Sequence, residues 1–533
     1  MFFRIRAIGV VLSLFLAAEC GAEDLSAKLL IHVDQGKDKI SRHIYGQFAE
    51  HLGRCIYDGF WVGNDPSVKN TGGVRDDVVA ALRELAIPNL RWPGGCFADN
   101  YHWRDGIGPP DKRPERSNVW WGNVPESNRF GTHEFLGMCA QLGCEPLICG
   151  NVGSGSPQEL EQWIEYVNAD RGALADERRD NGRAQPWHVK FWGVGNESWG
   201  CGGNMRPEYY ADVMDQFTTF MKPFGGTEPF RIACGASDAN TNWTDVLMQS
   251  YKRKQMFQGL SLHYYTLPTG DWKHKGSATD FEEDSWISTL KNTLRMEDFV
   301  KRHSEIMDKY DPQAKVALVV DEWGTWYDSA DSAALFQQNT LRDALVAGIN
   351  LNIFNNHCRR VRMASIAQTV NVLQSMILTK GAEMVLTPSY YVFRMYKPHQ
   401  DATMLPTELT SPDYVYEKMT IPALTTAASR DDKGAVHVSL TNADPHHAVV
   451  VECSLAGADA SKTDEWKVSG EILTAGRMNS FNDFGKNAEV KPTNFDGAKV
   501  KDGAVSIELP GKSIVMLAIE NLTAASAKDA STK

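Results

Sequence analysis

Val189-Lys190-Phe191-Trp192-Gly193-Val194-Gly195-Asn196-Glu197 and Val316-Ala317-Leu318-Val319-Val320-Asp321-Glu322-Trp323 share one design, an apolar run that ends on a glutamate. Each reads as a strand that delivers a carboxylate at its C-terminal end. Two such carboxylates, flanked by Trp and Asn, equip a retaining glycosidase: one protonates the leaving oxygen and the other attacks the sugar carbon. Glu197 and Glu322 are far apart in the chain, so only a fold unites them. Parallel strands with helical returns would, because all their C-terminal ends lie at one rim.

The surrounding sequence repeats that unit. Pro207 opens a helical stripe through Tyr210, Val213, Met214, Phe217, Phe220 and Met221. Other stripes run through Val78, Leu82 and Leu85, through Phe135, Leu136, Cys139 and Leu142, and through Leu160, Trp163, Ile164 and Val167. Strand-like runs fall at 44–48, 90–93, 146–150, 230–235 and 260–265, and Leu351-Asn352-Ile353-Phe354-Asn355 supplies an eighth. Eight units predict an α/β fold closed as a (β/α)8 TIM barrel over residues 44–398. Glu50, Arg91, Asn151, Asn196, Glu197, His263, Tyr265, Glu322 and Asn355 come at or near strand ends. Loops are polar anyway, so the signal is the series in register with the strands and no single residue.

These residues resemble the α-L-arabinofuranosidases of glycoside hydrolase family 51. The likeness spans about residues 28–520. It rests on six motifs in order: Gly46-Gln47-Phe48-Ala49-Glu50-His51-Leu52-Gly53, Arg91-Trp92-Pro93-Gly94-Gly95-Cys96-Phe97-Ala98-Asp99, Gly193-Val194-Gly195-Asn196-Glu197, His263-Tyr264-Tyr265, Asp321-Glu322-Trp323 and Ile366-Ala367-Gln368-Thr369-Val370-Asn371. The resemblance implies a retaining exo-α-L-arabinofuranosidase acting on plant polysaccharides or oligosaccharides, with no cofactor or metal and often as a homo-oligomer. It implies Glu197 as acid/base, Glu322 as nucleophile and Asn196 at the sugar 2-hydroxyl. Tyr265 would orient the nucleophile and His263 would touch the acid/base, while Glu50, Arg91, Cys96 and Gln368 would hold the furanose hydroxyls. Two residues have competing structural readings: Glu50 as an acid paired with Arg91 or Arg54, and His263 as a satisfied core histidine. An endo-β-1,4-glucanase on the same barrel, or a glycan-binding protein without catalysis, are the rival functions.

Tyr101, Trp103, Trp120, Trp121, Trp199, Trp272, Trp323 and Trp326 lie in segments expected to rim the barrel mouth. Trp103 and Trp199, which closely follow site motifs, are the expected sugar platforms. The stretch 268–286 reads as a long loop, a lid or a determinant of preference beyond the first sugar.

Beyond residue 398 short alternating runs such as Ala435-Val436-His437-Val438-Ser439-Leu440 and Ala504-Val505-Ser506-Ile507-Glu508-Leu509 predict a structural β-sandwich, jelly-roll-like, over 399–520. The segment 23–43, with Leu29-Leu30-Ile31-His32-Val33, is expected to add a strand to it, and 521–533 to be a disordered tail. The 533-residue length accommodates both domains, and a net charge of −12 argues against nucleic-acid or anionic-membrane partners. Arg4 and Arg6 before an apolar run predict a secretory signal peptide over 1–22, too short to span a membrane, and hence a periplasmic or extracellular enzyme. The ten cysteines match no zinc spacing and no disulfide framework; a Cys139–Cys144 bridge is left open.

Overall fold

Eight short strands pair edge to edge in chain order and close into a barrel. They are β1 (Gly46–Phe48), β2 (Asn89–Trp92), β3 (Glu145–Gly150), β4 (Phe191–Val194), β5 (Phe230–Ser237), β6 (Gly259–Thr266), β7 (Ala317–Thr325) and β8 (Val361–Ala367). Every neighbouring pair is parallel. This computed structural model describes residues 25–329 and 334–522. The leader expected at 1–22 and the tail from 523 lie outside the described residues.

Helices return the chain after the strands, and their ends follow local chemistry. Ser156 caps Pro157–Asn168 by accepting from Glu159 N, Gly143 closes Thr132–Leu142 in the left-handed conformation, and Thr340 with Asp343 makes a capping box for Leu341–Asn356. Inside the barrel, Leu147, Phe191, Ile232, Ala317, Val319 and Met363 form a cluster of their own. The barrel is therefore a packed core with a functional end.

One sequence expectation is corrected here. Leu351-Asn352-Ile353-Phe354-Asn355 is no strand but the last part of the helix Leu341–Asn356, and the eighth strand is Val361–Ala367. That helix is buried along nearly its whole length because the β-domain covers its outer side, where Ser439 Oγ donates to Asn352 Oδ1 at 2.6 Å. A helix buried on all sides has no exposed polar face to set off a 3.6-residue stripe, and a short piece of it mimics a buried strand.

The β-domain has two sheets. In the five-stranded one Leu25–His32, from before the barrel, lies between Thr407–Thr410 and Val449–Ala456. The six-stranded sheet is built around Leu424–Arg430, Val436–Asn442 and Ser513–Glu520. Among the described residues no helix is long and apolar enough to cross a membrane.

Candidate active site

The carboxylates reach the rim through local backbone distortions. After β4 the chain bends sharply, with φ of 81° at Gly195 and 41° at Glu197. Glycine adopts this region freely, whereas a glutamate there is strained by roughly 1–2 kcal/mol. Asp99 holds the bend: its Oδ2 accepts from Asn196 N at 2.7 Å, and its Oδ1 accepts from Val152 N and Gly153 N at 2.7 and 2.8 Å. On β7, Asp321 and Glu322 are consecutive, and a regular strand would send them to opposite faces. The register with β6 slips between Ser261 and His263, and that with β8 between Val320 and Trp323. This bulge lets both carboxylates meet the same partners.

Arg91 on β2 ties the rim together. Its Nη1 donates to Glu322 Oε1 at 2.8 Å, its Nη2 to Asn196 Oδ1 at 2.6 Å, and its Nε lies 3.5 Å from Asp321 Oδ2. Tyr265 OH donates to Glu322 Oε2 at 2.9 Å. His263 stands between the acids, its Nδ1 3.0 Å from Glu197 Oε1 and its Nε2 3.1 Å from Asp321 Oδ1. One oxygen of Glu197 and one of Glu322 lie, with a ring nitrogen of His263, within 4.8 Å of one another.

The electrostatics favour a proton on Glu197. Burial, and then the nearby Glu322 charge, hold the Glu197 carboxyl above its ordinary range despite the His263 contact. Burial alone would lower His263, but the Glu322 and Asp321 carboxylates outweigh it and push it up to about 10. At neutral pH both His263 nitrogens therefore donate. Asp321 is held below the usual carboxylate range, with Arg91 and His263 overcoming its burial. Glu50 is pushed up to about 7 by burial and then by Glu322, although four N–H groups donate to it. They are Gly95 N, Phe97 N and Trp121 Nε1 on Oε1, and Gln368 Nε2 on Oε2.

Over these groups lies a cavity of about 230 Å³. Glu50, Cys96, Glu197, His263, Tyr265, Glu322 and Gln368 line its polar part, and Trp121, Trp199, Trp272 and Trp326 wall it. The size falls below the roughly 300–1,000 Å³ of sites for drug-sized ligands, which suits one small ring and the start of its neighbour.

The α-L-arabinofuranosidase C-terminal domain family matches residues 321–513, and the α-L-arabinofuranosidase 1 domain family matches 81–268. An intracellular exo-α-L-arabinofuranosidase from Bacteroides ovatus is 50% identical over 517 residues, covering 96% of this chain and 99% of that protein. The crystal structure of the GH51 arabinofuranosidase from Xanthomonas axonopodis pv. citri superposes with a TM-score of 0.90 at 50% identity, over 93% of this chain and all of that one. The chain belongs to the family 51 α-L-arabinofuranosidases. An arabinose complex of the α-L-arabinofuranosidase from Thermotoga maritima also aligns, at 30% identity and a TM-score of 0.79, over 92% and 99% of the two chains.

For this family 51 hydrolase the expectation of an exported enzyme is corrected. The Bacteroides ovatus relative, matched over nearly the whole of both chains, is an intracellular enzyme. An Arg-bearing apolar start is a compositional signal, and it gives way to a full-length relative from inside the cell.

The structure gathers Glu50, Arg91, Cys96, Asn196, Glu197, His263, Tyr265, Glu322 and Gln368 around one cavity. Trp103 is a correction: it is 1% exposed, donates its indole N–H to Glu159 O and stacks on Trp163. Its side chain turns into the helix layer, so it platforms no sugar; Trp199 does line the cavity. Cys96 is not a free thiol but is bonded to Cys201, while Cys139 and Cys144 stay free. Asn151 staples the loop after β3, accepting from Ser154 N and Gly155 N, and ties it to Tyr101 O, while Asn355 pairs with Tyr45. In the stretch 268–286, Glu283 already begins the helix Glu283–Tyr310, and the preceding loop is pinned by Asp328 and Arg342. Trp121, expected at the barrel mouth, lines the cavity. Asp321 and Asp99 are site residues to which the sequence reading gave no role; two consecutive acids at a strand end were the available sign of the first.

Proposed function

We propose that this enzyme removes terminal α-L-arabinofuranosyl groups from arabinose-containing plant polysaccharides or oligosaccharides with net retention. The observation that carries this reading is the pair Glu197 and Glu322, with oxygens within 4.8 Å of one another in a small pocket. An inverting pair stands roughly 6.5–9.5 Å apart to admit a water, so the close pair supports direct attack.

In the first step Glu322, oriented by Arg91 and Tyr265, attacks the anomeric carbon while Glu197 gives its proton to the leaving oxygen. Oε1 of Glu197 accepts from His263, so the transferable proton sits on Oε2. Once the leaving group departs, the Glu197 carboxylate takes a proton from water, which opens the covalent intermediate. Asn196, its Oδ1 held by Arg91 and its Nδ2 donating to Cys201 Sγ at 3.9 Å, has a second amide N–H to offer the sugar 2-hydroxyl, a bond that strengthens as the ring flattens. Glu50 and Gln368 would hold the remaining hydroxyls.

The test is release of p-nitrophenol from its α-L-arabinofuranoside by wild type and Glu197→Ala, with and without azide. Wild-type release, loss in the variant and rescue as the α-configured arabinofuranosyl azide are expected. Release from a β-glucan in its place would overturn the specificity, and a β-configured azide would overturn the retaining course.

A further inference from the structure

The Cys96–Cys201 bridge packs against the carboxylate that performs acid catalysis. Cys201 Sγ lies 3.5 Å from Glu197 Oε2 and Cys96 Sγ lies 4.0 Å from it. Oε1 of the same carboxylate is engaged by His263, so Oε2 is the oxygen turned toward the sulfurs. Cys96, Glu197 and Cys201 each place a donor atom within 4.8 Å of the others. As a disulfide the sulfurs have no thiolate to offer. We propose that reduction of this bridge turns Cys96, Cys201 and Glu197 into a binding site for a thiophilic divalent cation such as Zn2+, and that the bound ion silences the enzyme.

The geometry fits the ion. Zinc–sulfur bonds of about 2.3 Å and zinc–oxygen bonds of about 2.0–2.2 Å put tetrahedral sulfur and oxygen ligands about 3.5 Å apart. The Cys201–Glu197 spacing already has that value, and side-chain rotation after cleavage brings the Cys96 sulfur into place. Three protein ligands leave the fourth position open to the cavity, which Cys96 and Glu197 line and through which the ion enters. Two thiolates favour a soft or borderline cation over Mg2+ or Ca2+.

The chemistry balances with a phosphine as reductant. The phosphine takes the oxygen of one water and becomes its oxide, its electron pair cleaves the S–S bond, and the two water protons end on the two sulfurs. Zn2+ then displaces both thiol protons and the carboxyl proton on Glu197 Oε2 to buffer. With Oε2 bound to the ion, Glu197 has neither a proton to give the leaving group nor a free oxygen to take one from the water that opens the covalent intermediate.

The test uses the whole enzyme with tris(2-carboxyethyl)phosphine and Zn2+. Zn2+ should leave the oxidised enzyme active but lower turnover of the aryl arabinofuranoside by roughly 10²-fold or more once it is reduced, the usual worth of a general acid. Chelation should restore it. Independently of activity, Cd2+ should give a one-equivalent thiolate charge-transfer band in the reduced protein only, and Cys201→Ser should lose that band. Equal Zn2+ sensitivity in the oxidised enzyme, no Cd2+ band after reduction, or a band that survives in Cys201→Ser would each overturn the proposal. If reduction alone stops turnover, the Cd2+ band still decides.

Discussion

His263 bridges two carboxylates whose titrations are pushed in opposite directions, Glu197 upward and Asp321 downward, through Glu197 Oε1 at 3.0 Å and Asp321 Oδ1 at 3.1 Å. Asp321 and Glu322 together keep the ring protonated up to about 10. Replacing Asp321 by Asn removes one of these charges and returns His263 toward the ordinary value near 6.5. The expected outcome is a kcat lowered by roughly 10–100-fold with little change in KM, since Asp321 does not line the cavity. A new titration should enter the pH–rate profile between about pH 6.5 and 10. The fold follows the same sign. A raised His263 pKa contributes stability that is complete below about pH 6.5 and drains away as pH rises through about 10. Thermal melts across that window should show the wild type losing stability on the alkaline side and Asp321→Asn losing less. A flat difference between the two would dismiss the charge argument.

Gly95 lets the backbone approach Glu322. A Cβ there would stand 2.8 Å from Glu322 Oε1 and 3.5 Å from Asn196 Nδ2. Gly95→Ala must push Glu322 off Arg91 or move its own loop, a cost of about 1–3 kcal/mol for forced overpacking. We expect kcat/KM to fall by roughly 10–100-fold while the melting temperature changes little. Unchanged kinetics would show that the loop yields without disturbing Glu322.

Much of this site was legible because a barrel converts strand ends into one rim. Glu197, Glu322, Arg91, His263 and Tyr265 needed only the ends of their strands to be found. Asp321 was signalled only by its place beside Glu322: alternation on a regular β7 turns it away from Glu322's face, and the bulge that reverses this leaves no mark in composition. Trp103 failed for the complementary reason, because nearness in sequence to a motif says nothing of where an indole points. The Cys96–Cys201 bond joins two loops 105 residues apart, and only the closed barrel makes them neighbours. The misassigned eighth strand belongs to a helix buried along nearly its whole length, partly under the β-domain that covers it.

Trp103 separates stability from binding. It is buried against Trp163 and Tyr166 and donates to Glu159 O. Trp103→Ala should destabilise the fold by about 3–5 kcal/mol, typical of deleting a buried aromatic ring. Molecules that remain folded should keep the wild-type KM for the aryl arabinofuranoside. A raised KM with an undiminished melting temperature would restore Trp103 to the sugar site.

Asp99 shapes the Asn196–Glu197 bend without lining the cavity. Its two oxygens accept three backbone N–H groups, from Val152, Gly153 and Asn196. An asparagine at this position must point its NH2 at one or two of those donors and leave them unsatisfied, a penalty of about 1–3 kcal/mol. If the amide turns toward Asn196 N, the left-handed Glu197 backbone loses its anchor and the acid leaves its place beside His263. Asp99→Asn should therefore lower kcat/KM, which reports the first step, by roughly 10²-fold for a poor leaving group that depends on Glu197's proton, and lower it far less for p-nitrophenolate, which departs with little help. A fall of equal size for both leaving groups would mean that Asp99 holds the fold as a whole and not the acid/base in particular.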